Sequence, residues 1–179
     1  GTHGSINVAE ALRHSCNYFF YEVGYDLAGG NSYNDATGIE KLSKYASMYG
    51  LDSKTGVEIE ESKPTPATEF PVMAAIGQSD NNFTTISLAR YVTAVANRGT
   101  VYNLTLLDHV EDPASGNTVA TYESSVKNQI TALSGDEWNT LNSGLRMVVE
   151  DLSAFHNTQV QAAGKTGTAQ ESLLRPNHA

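Results

Sequence analysis

Apolar positions fall into separate helical stripes, each opened by a polar cap. Asn7 followed by Glu10 forms a capping box, and Val8, Ala11, Leu12 and Ser15 then lie on one side of a short helix. Residues 18–24 are heavily apolar and read as a buried helix, broken at Gly29-Gly30-Asn31. Thr37 and Glu40 make a second box, ahead of Ile39, Leu42, Tyr45, Ala46 and Tyr49 at helical spacing, with Gly50 placed to end the helix. Thr84 or Thr85 caps a third stripe of Ile86, Ala89, Val92 and Ala96 that stops at Gly99. Ser134 and Glu137 open a long helix carrying Trp138, Leu141, Leu145 and Val148.

Between the third and the long helix the period changes. Residues 101–110 are rich in strand formers, Asp112-Pro113-Ala114-Ser115-Gly116-Asn117 is a turn, and Thr118-Val119-Ala120-Thr121-Tyr122 returns, which is a hairpin signal. A turn at 50–53 leads into a short strand, Val57-Glu58-Ile59, and Lys63-Pro64-Thr65-Pro66 is an extended loop. No internal repeat or low-complexity tract is present.

Composition narrows the function classes. At 179 residues and 40% hydrophobic the chain can bury a real core. Its net charge is −9 with no Lys/Arg cluster, which argues against a nucleic-acid groove or an acidic membrane surface. The single cysteine, Cys16, excludes an internal disulfide and a cysteine-based metal site, and reads as a small buried packing residue. No cofactor or metal is expected. No apolar run approaches membrane-spanning length, and no signal peptide is visible. The chain opens at Gly1 in mid-pattern, so a piece of a longer protein is expected.

The candidate chemistry lies in Ala163-Gly164-Lys165-Thr166-Gly167-Thr168-Ala169-Gln170. Small side chains and Gly167 let a ligand lie close to the backbone. Lys165 supplies a point charge for an anion, and Thr166 and Thr168 supply hydroxyl donors. As a strand, Thr166 and Thr168 share a face and Lys165 points the other way. The bland alternative is an exposed glycine-rich edge strand with an incidental lysine. K-T-G also occurs at Lys54-Thr55-Gly56, where the turn-like flanks disfavour a chemical role.

Five stretches fit S-x-N: Ser5-Ile6-Asn7, Ser15-Cys16-Asn17, Ser32-Tyr33-Asn34, Ser79-Asp80-Asn81 and Ser115-Gly116-Asn117. Context chooses between them. Asn7 is a helix cap, Ser115 and Asn117 sit in a hairpin turn, and the literal S-D-N at Ser79 occupies a polar turn before a helix. Ser15 and Asn17 lie between two apolar segments, where polar groups need partners.

With these stretches in order, the chain resembles the transpeptidase domain of the penicillin-binding proteins, of the monofunctional class B kind. The resemblance rests on Ala11-Leu12-Arg13-His14-Ser15-Cys16-Asn17-Tyr18-Phe19-Phe20, on Ala75-Ile76-Gly77-Gln78 with the helix that follows, and on residues 163–170. It covers essentially all of 1–179, read as a partial transpeptidase domain: the helical lobe plus the Lys165 strand. It implies an α+β fold, helix-dominated, with an incomplete antiparallel sheet whose exposed edges invite self-association. It implies that Ser15 relays a proton, Asn17 hydrogen-bonds the acyl side chain, and Lys165 supplies positive potential. Thr166 and Thr168 would bind the terminal carboxylate of a peptidoglycan stem peptide or a β-lactam antibiotic, beside Gly167. The Thr168 N–H would be one of two oxyanion donors. The family's location, the outer face of the cytoplasmic membrane, is implied too.

One departure from the family pattern is large. The nucleophile motif S-x-x-K should precede Ser15 by some tens of residues, and the chain begins at Gly1. Its one S-x-x-K match, Ser124-Ser125-Val126-Lys127, falls in the wrong order. The expectation is a D,D-transpeptidase fragment that is inactive alone. A serine β-lactamase or β-lactam sensor is one alternative, and a non-catalytic wall-binding domain of the same fold is the other.

Overall fold

A computed structural model describes residues 3–168. They divide into two compact units, one of Gly1–Leu42, Ala67–Asn81 and Ala132–Ala179, the other of Ser43–Pro66 and Asn82–Thr131. The fold is α+β and helix-rich, as expected.

The first unit is helical. Its elements are α1 (Val8–Arg13), α2 (Asn17–Leu27), the start of α3 (Asp35–Met48), the single turn α4 (Pro71–Ala74) and α6 (Gly135–Glu150). The capping boxes at Asn7/Glu10 and Ser134/Glu137 both form. The box expected at Thr37 and Glu40 does not. Asn34 stands in for it: its side chain accepts the Thr37 N–H at 3.0 Å, so α3 starts earlier. α1 packs on α6 across Gly144, where a Cβ would meet Ala9 Cα at 3.0 Å and Leu12 Cδ1 at 2.9 Å. α2 packs on α4 across Gly24 in the same way, its missing Cβ falling 2.8 Å from Val72 Cα. Contact between backbones this close permits only small residues, and the buried residues of α1 are Ala9 and Ala11, while those of α6 are Gly144 itself with Trp138, Val148 and Val149. α2 is less buried than its apolar run suggests: Tyr18 is 71% exposed.

The second unit holds the sheet. α5 (Thr85–Ala96), capped by Thr84, packs on β1 (Thr100–Tyr102), which pairs antiparallel with β4 (Val126–Gln129). Between them in sequence, β2 (His109–Glu111) and β3 (Thr118–Thr121) make the expected hairpin as a separate two-stranded ladder. Val57-Glu58-Ile59 forms no strand. Its carboxylate, Glu58, instead accepts from the Leu106 N–H and the Thr105 hydroxyl.

Arg90 of α5 is the buried hub of this unit, 1% exposed. Its guanidinium donates to the carbonyls of Gly50, Ser53 and Lys54. These carbonyls belong to the turn that follows α3, where Gly50 (φ 73) and Leu51 bond their N–H groups back to Ser47 and Ala46.

Candidate active site

α1 ends in a Schellman turn. The Ser15 N–H bonds back to the Leu12 carbonyl at 3.2 Å and the Cys16 N–H to Ala11 at 3.0 Å. That geometry puts the residue after the C-cap in the left-handed region, a place glycine usually takes. Here it is Ser15, with φ 48. A β-carbon there costs roughly 1–2 kcal/mol, and such strain concentrates where a side chain must be aimed. α2 begins two residues later at Asn17, with Cys16 buried between the helices.

The aim is at Lys165. Its ammonium donates to Ser15 Oγ at 2.5 Å and to the Thr166 carbonyl at 3.1 Å, and lies 3.3 Å from Thr166 Oγ1. Thr166 Oγ1 is in turn 3.4 Å from Ser15 Oγ. Three polar side chains from two remote stretches thus form one cluster within the first unit. Partial burial pushes the Lys165 ammonium below the ordinary lysine range. Among the described residues its hydrogen-bond partners are hydroxyl and carbonyl oxygens, with no carboxylate.

The segment carrying Lys165 is not the strand expected. Residues 161–168 are extended but pair in no ladder, and the strict alternation of a strand fails, since Lys165 and Thr166 both reach Ser15. The first unit has no strand among its described residues to pair with it. Thr168 and Gly167 are exposed, and a Cβ at Gly167 would meet no described residue beyond its chain neighbours within 4 Å. Asn17 is exposed at the first position of α2, and its side chain makes no hydrogen bond to another described residue. Ala169 and Gln170 lie outside the described residues.

The competing motifs have structural partners. Thr55 is fully buried and donates to Glu61 Oε2 at 2.9 Å, while the Gly56 N–H donates to Glu61 Oε1 at 3.0 Å. Lys54-Thr55-Gly56 is therefore part of the scaffold around Arg90. In the literal S-D-N, Asp80 accepts from the Thr68 N–H and hydroxyl, and Asn81 accepts from the Ala67 N–H. Those bonds staple the loop at 67–69 and hold the Asp80 carboxyl down at about 2. Ser125, in the lone S-x-x-K stretch, bonds Asn103 beside β4 in the second unit.

Sequence reasoning missed the mounts of the site. Arg13 donates from Nε and Nη2 to the two carboxylate oxygens of Asp151, both at 2.8 Å, joining the end of α1 to the end of α6. Arg146 bonds Glu150 one helical turn on, a spacing readable in the sequence, and also the Ala162 carbonyl, which was not. A recess of about 770 Å³ lies between residues 3–6 and α2, lined by Ile6, Cys16, Phe19 and Val23. None of Ser15, Asn17 or Lys165 lines it.

The whole chain is similar to known proteins. Residues 1–177 match the penicillin-binding protein transpeptidase domain, and the chain belongs to that family. It is 27% identical to penicillin-binding protein H of Bacillus subtilis, over 93% of this chain and 26% of that protein. It is 26% identical to peptidoglycan D,D-transpeptidase MrdA of Haemophilus influenzae, over 98% of this chain and 28% of that protein. The chain thus spans little more than a quarter of these curated relatives. Among solved structures, penicillin-binding protein 2B of Streptococcus pneumoniae superposes with a TM-score of 0.80 at 22% identity, covering 96% of this chain and 32% of that one. Penicillin-binding protein A from M. tuberculosis, as a ceftriaxone acyl-enzyme complex, gives 0.77 at 23% identity, over 97% and 37%. These likenesses are of fold.

Proposed function

We propose that this chain is the second- and third-motif portion of a peptidoglycan D,D-transpeptidase that works through an acyl-serine intermediate. The observation that carries the reading is the Lys165 ammonium on Ser15 Oγ, with the Thr166 hydroxyl beside both. Two motifs of the family, 150 residues apart, meet at hydrogen-bond distance, whereas the rival K-T-G and S-D-N copies are spent on scaffold.

The roles follow from the chemistry of each group. A serine outside this chain forms an ester with the stem peptide as an amide bond breaks, and the leaving amine takes a proton. Ser15, hydrogen-bonded to an ammonium, is placed to pass that proton. Lys165 and the hydroxyls of Thr166 and Thr168 attract and fix the terminal carboxylate. Gly167 keeps the approach open, and the Thr168 N–H is one oxyanion donor. Asn17, whose amide is free of described partners, is available to the acyl side chain. β-Lactams take the same groups through their own carboxylate. The longer protein is placed at the outer face of the cytoplasmic membrane. No described helix is long and apolar enough to cross one. The open edges of β2 and β3 are where a second copy would pair.

The test is labelling of the longer protein that contains this chain with a fluorescent penicillin. Labelling should fall at least a hundredfold with Lys165→Ala and be strongly slowed with Ser15→Ala. Equal labelling of wild type and K165A would overturn the assignment of the site.

A further inference from the structure

Ser15 and Lys165 are 150 positions apart, yet both are fastened to the C-terminal end of α6, at residues 145–151. Asp151, which caps α6, grips Arg13 two residues before Ser15. On the other side, the Leu145 carbonyl accepts the Gly164 N–H at 3.1 Å. Arg146 Nη1 donates to the Ala162 carbonyl at 2.8 Å, and its Nε donates to Glu150 Oε1 at 3.0 Å. Residues 161–168 have no ladder, so these are the described bonds that locate their backbone.

The Arg146–Glu150 pair is poorly explained as helix support. An arginine placed four residues before a glutamate runs in the weaker order for a helix, against the dipole. What the pair does achieve is direction. Guanidinium donors form a rigid planar fork, so fixing Nε on Glu150 aims Nη1 at one point, the Ala162 carbonyl. Lys165 lies three residues beyond that clamp and one beyond the Gly164 bond. Its four-carbon stem is flexible, so the origin of the stem decides where the ammonium can rest.

We propose that Arg146, held by Glu150, is a positioning residue that sets the reach of Lys165 to Ser15, given the reading of these two as parts of a transpeptidase site. Without the clamp the segment swings about the Gly164 bond, Lys165 leaves Ser15, and its ammonium becomes more solvated. The lowered titration of Lys165 is therefore a local reporter of the clamp.

The experiment follows the side-chain signals of the six lysines of this chain by NMR across a pH titration, with the Lys165 signal assigned by K165R. In the wild type Lys165 titrates below the ordinary lysine range. In Arg146→Ala its titration should rise towards that range, with the far-ultraviolet circular dichroism unchanged. A folded R146A in which Lys165 still titrates low would overturn the proposal. If R146A does not fold, Glu150→Gln is read instead, a half-exposed position where shape is kept and the hold on Nε is weakened. An upward move of Lys165 in E150Q supports the clamp, and no move overturns it. None of these readings needs penicillin or peptidoglycan, so a failed clamp leaves the transpeptidase reading untouched. Conversely, an unlabelled longer protein would leave the Lys165 titration as it is.

Discussion

Lys165 Nζ donates to Ser15 Oγ at 2.5 Å, and the pair spans 150 positions of sequence. Burial lowers the Lys165 pKa from the ordinary 10.5, and linkage turns that into a pH dependence of stability. Below the lowered value both folded and unfolded states carry the proton, and the folded state bears the cost of partly desolvating the ammonium. As pH rises from that value towards 10.5 the folded state gives up its proton first. The unfolded state then binds more protons, and stability rises. Wild type should therefore gain stability relative to Lys165→Met across that window, with the tyrosines, common to both chains, cancelling. Urea denaturation of the two chains at several pH values checks this. A difference that stays flat up to pH 10.5 refutes it.

Gly167 separates ligand binding from packing. Apart from its chain neighbours, no atom of the described residues lies within 4 Å of where its Cβ would stand. Gly167→Ala should change stability by only about 0.5–1 kcal/mol, yet place a methyl on the path of a ligand lying along Thr166 and Thr168. Binding of a peptide ending in D-alanyl-D-alanine, followed by amide shifts of Thr166 and Thr168, should weaken about tenfold or more. Unchanged binding by G167A would show that the carboxylate does not lie there.

Asp80 gives a prediction at the acid end. Its carboxyl accepts three bonds, two from Thr68 and one from Ser79, and its pKa falls from 3.8 to about 2. A lowered carboxylate contributes stability that is present above 3.8 and lost as pH falls through 2. Asp80→Asn should melt earlier than wild type at pH 5, and the two melting curves should merge by pH 2. The variant should leave the Lys165 titration where it is, because the Asp80 bonds are spent on the 67–69 loop. A shift at Lys165 would reopen the literal S-D-N as part of the site.

Much of this was written in local pattern. Asn7 and Ser134 announce their helices because a capping box is satisfied within four residues. Thr37 misled for the same local reason: Asn34, three residues earlier, offers a better-placed acceptor to the same N–H. The strand expected at Lys165 needed a neighbour, and small residues with hydroxyls describe a surface without naming its partner. Ser15 and Lys165 were linked by motif order rather than by any pattern between them. The Arg13–Asp151 pair had no such signal. Its 138-residue separation carries no periodicity, and only the packing of α1 on α6 across Gly144 brings it about. The second K-T-G has turn-like flanks that disfavour a chemical role, but its use, with Thr55 and the Gly56 N–H both bonded to Glu61 beside the Lys54 carbonyl that accepts from Arg90, carries no local pattern.

The last prediction is that the 179-residue chain by itself is not acylated by penicillin. Acylation needs a hydroxyl whose proton is taken by a neighbouring base as it attacks. Ser15 is hydrogen-bonded to Lys165, but as the acceptor: the ammonium donates to its oxygen, which withdraws electron density from the would-be nucleophile. Partial burial lowers the lysine, yet the ammonium is partnered by oxygens that favour its charged form. Ser15 is also bound to its left-handed turn by the Cys16 and Leu12 bonds, so its oxygen points at Lys165 rather than turning freely. Ser124 has a lysine three residues on, but Lys127 lies on β4 rather than one helical turn away on the same face. A misplacement of about 1 Å costs on the order of a hundredfold in rate, and the oxyanion donor proposed at the Thr168 N–H is aimed at the ester of another serine rather than at Ser15 or Ser124. Intact-mass measurement after incubation with benzylpenicillin should show an unmodified chain, while the longer protein gains one penicilloyl group. A stable adduct on the chain alone, mapped to Ser15, would make Ser15 and Lys165 a nucleophile and base in their own right and would replace the proton-relay role proposed for Ser15.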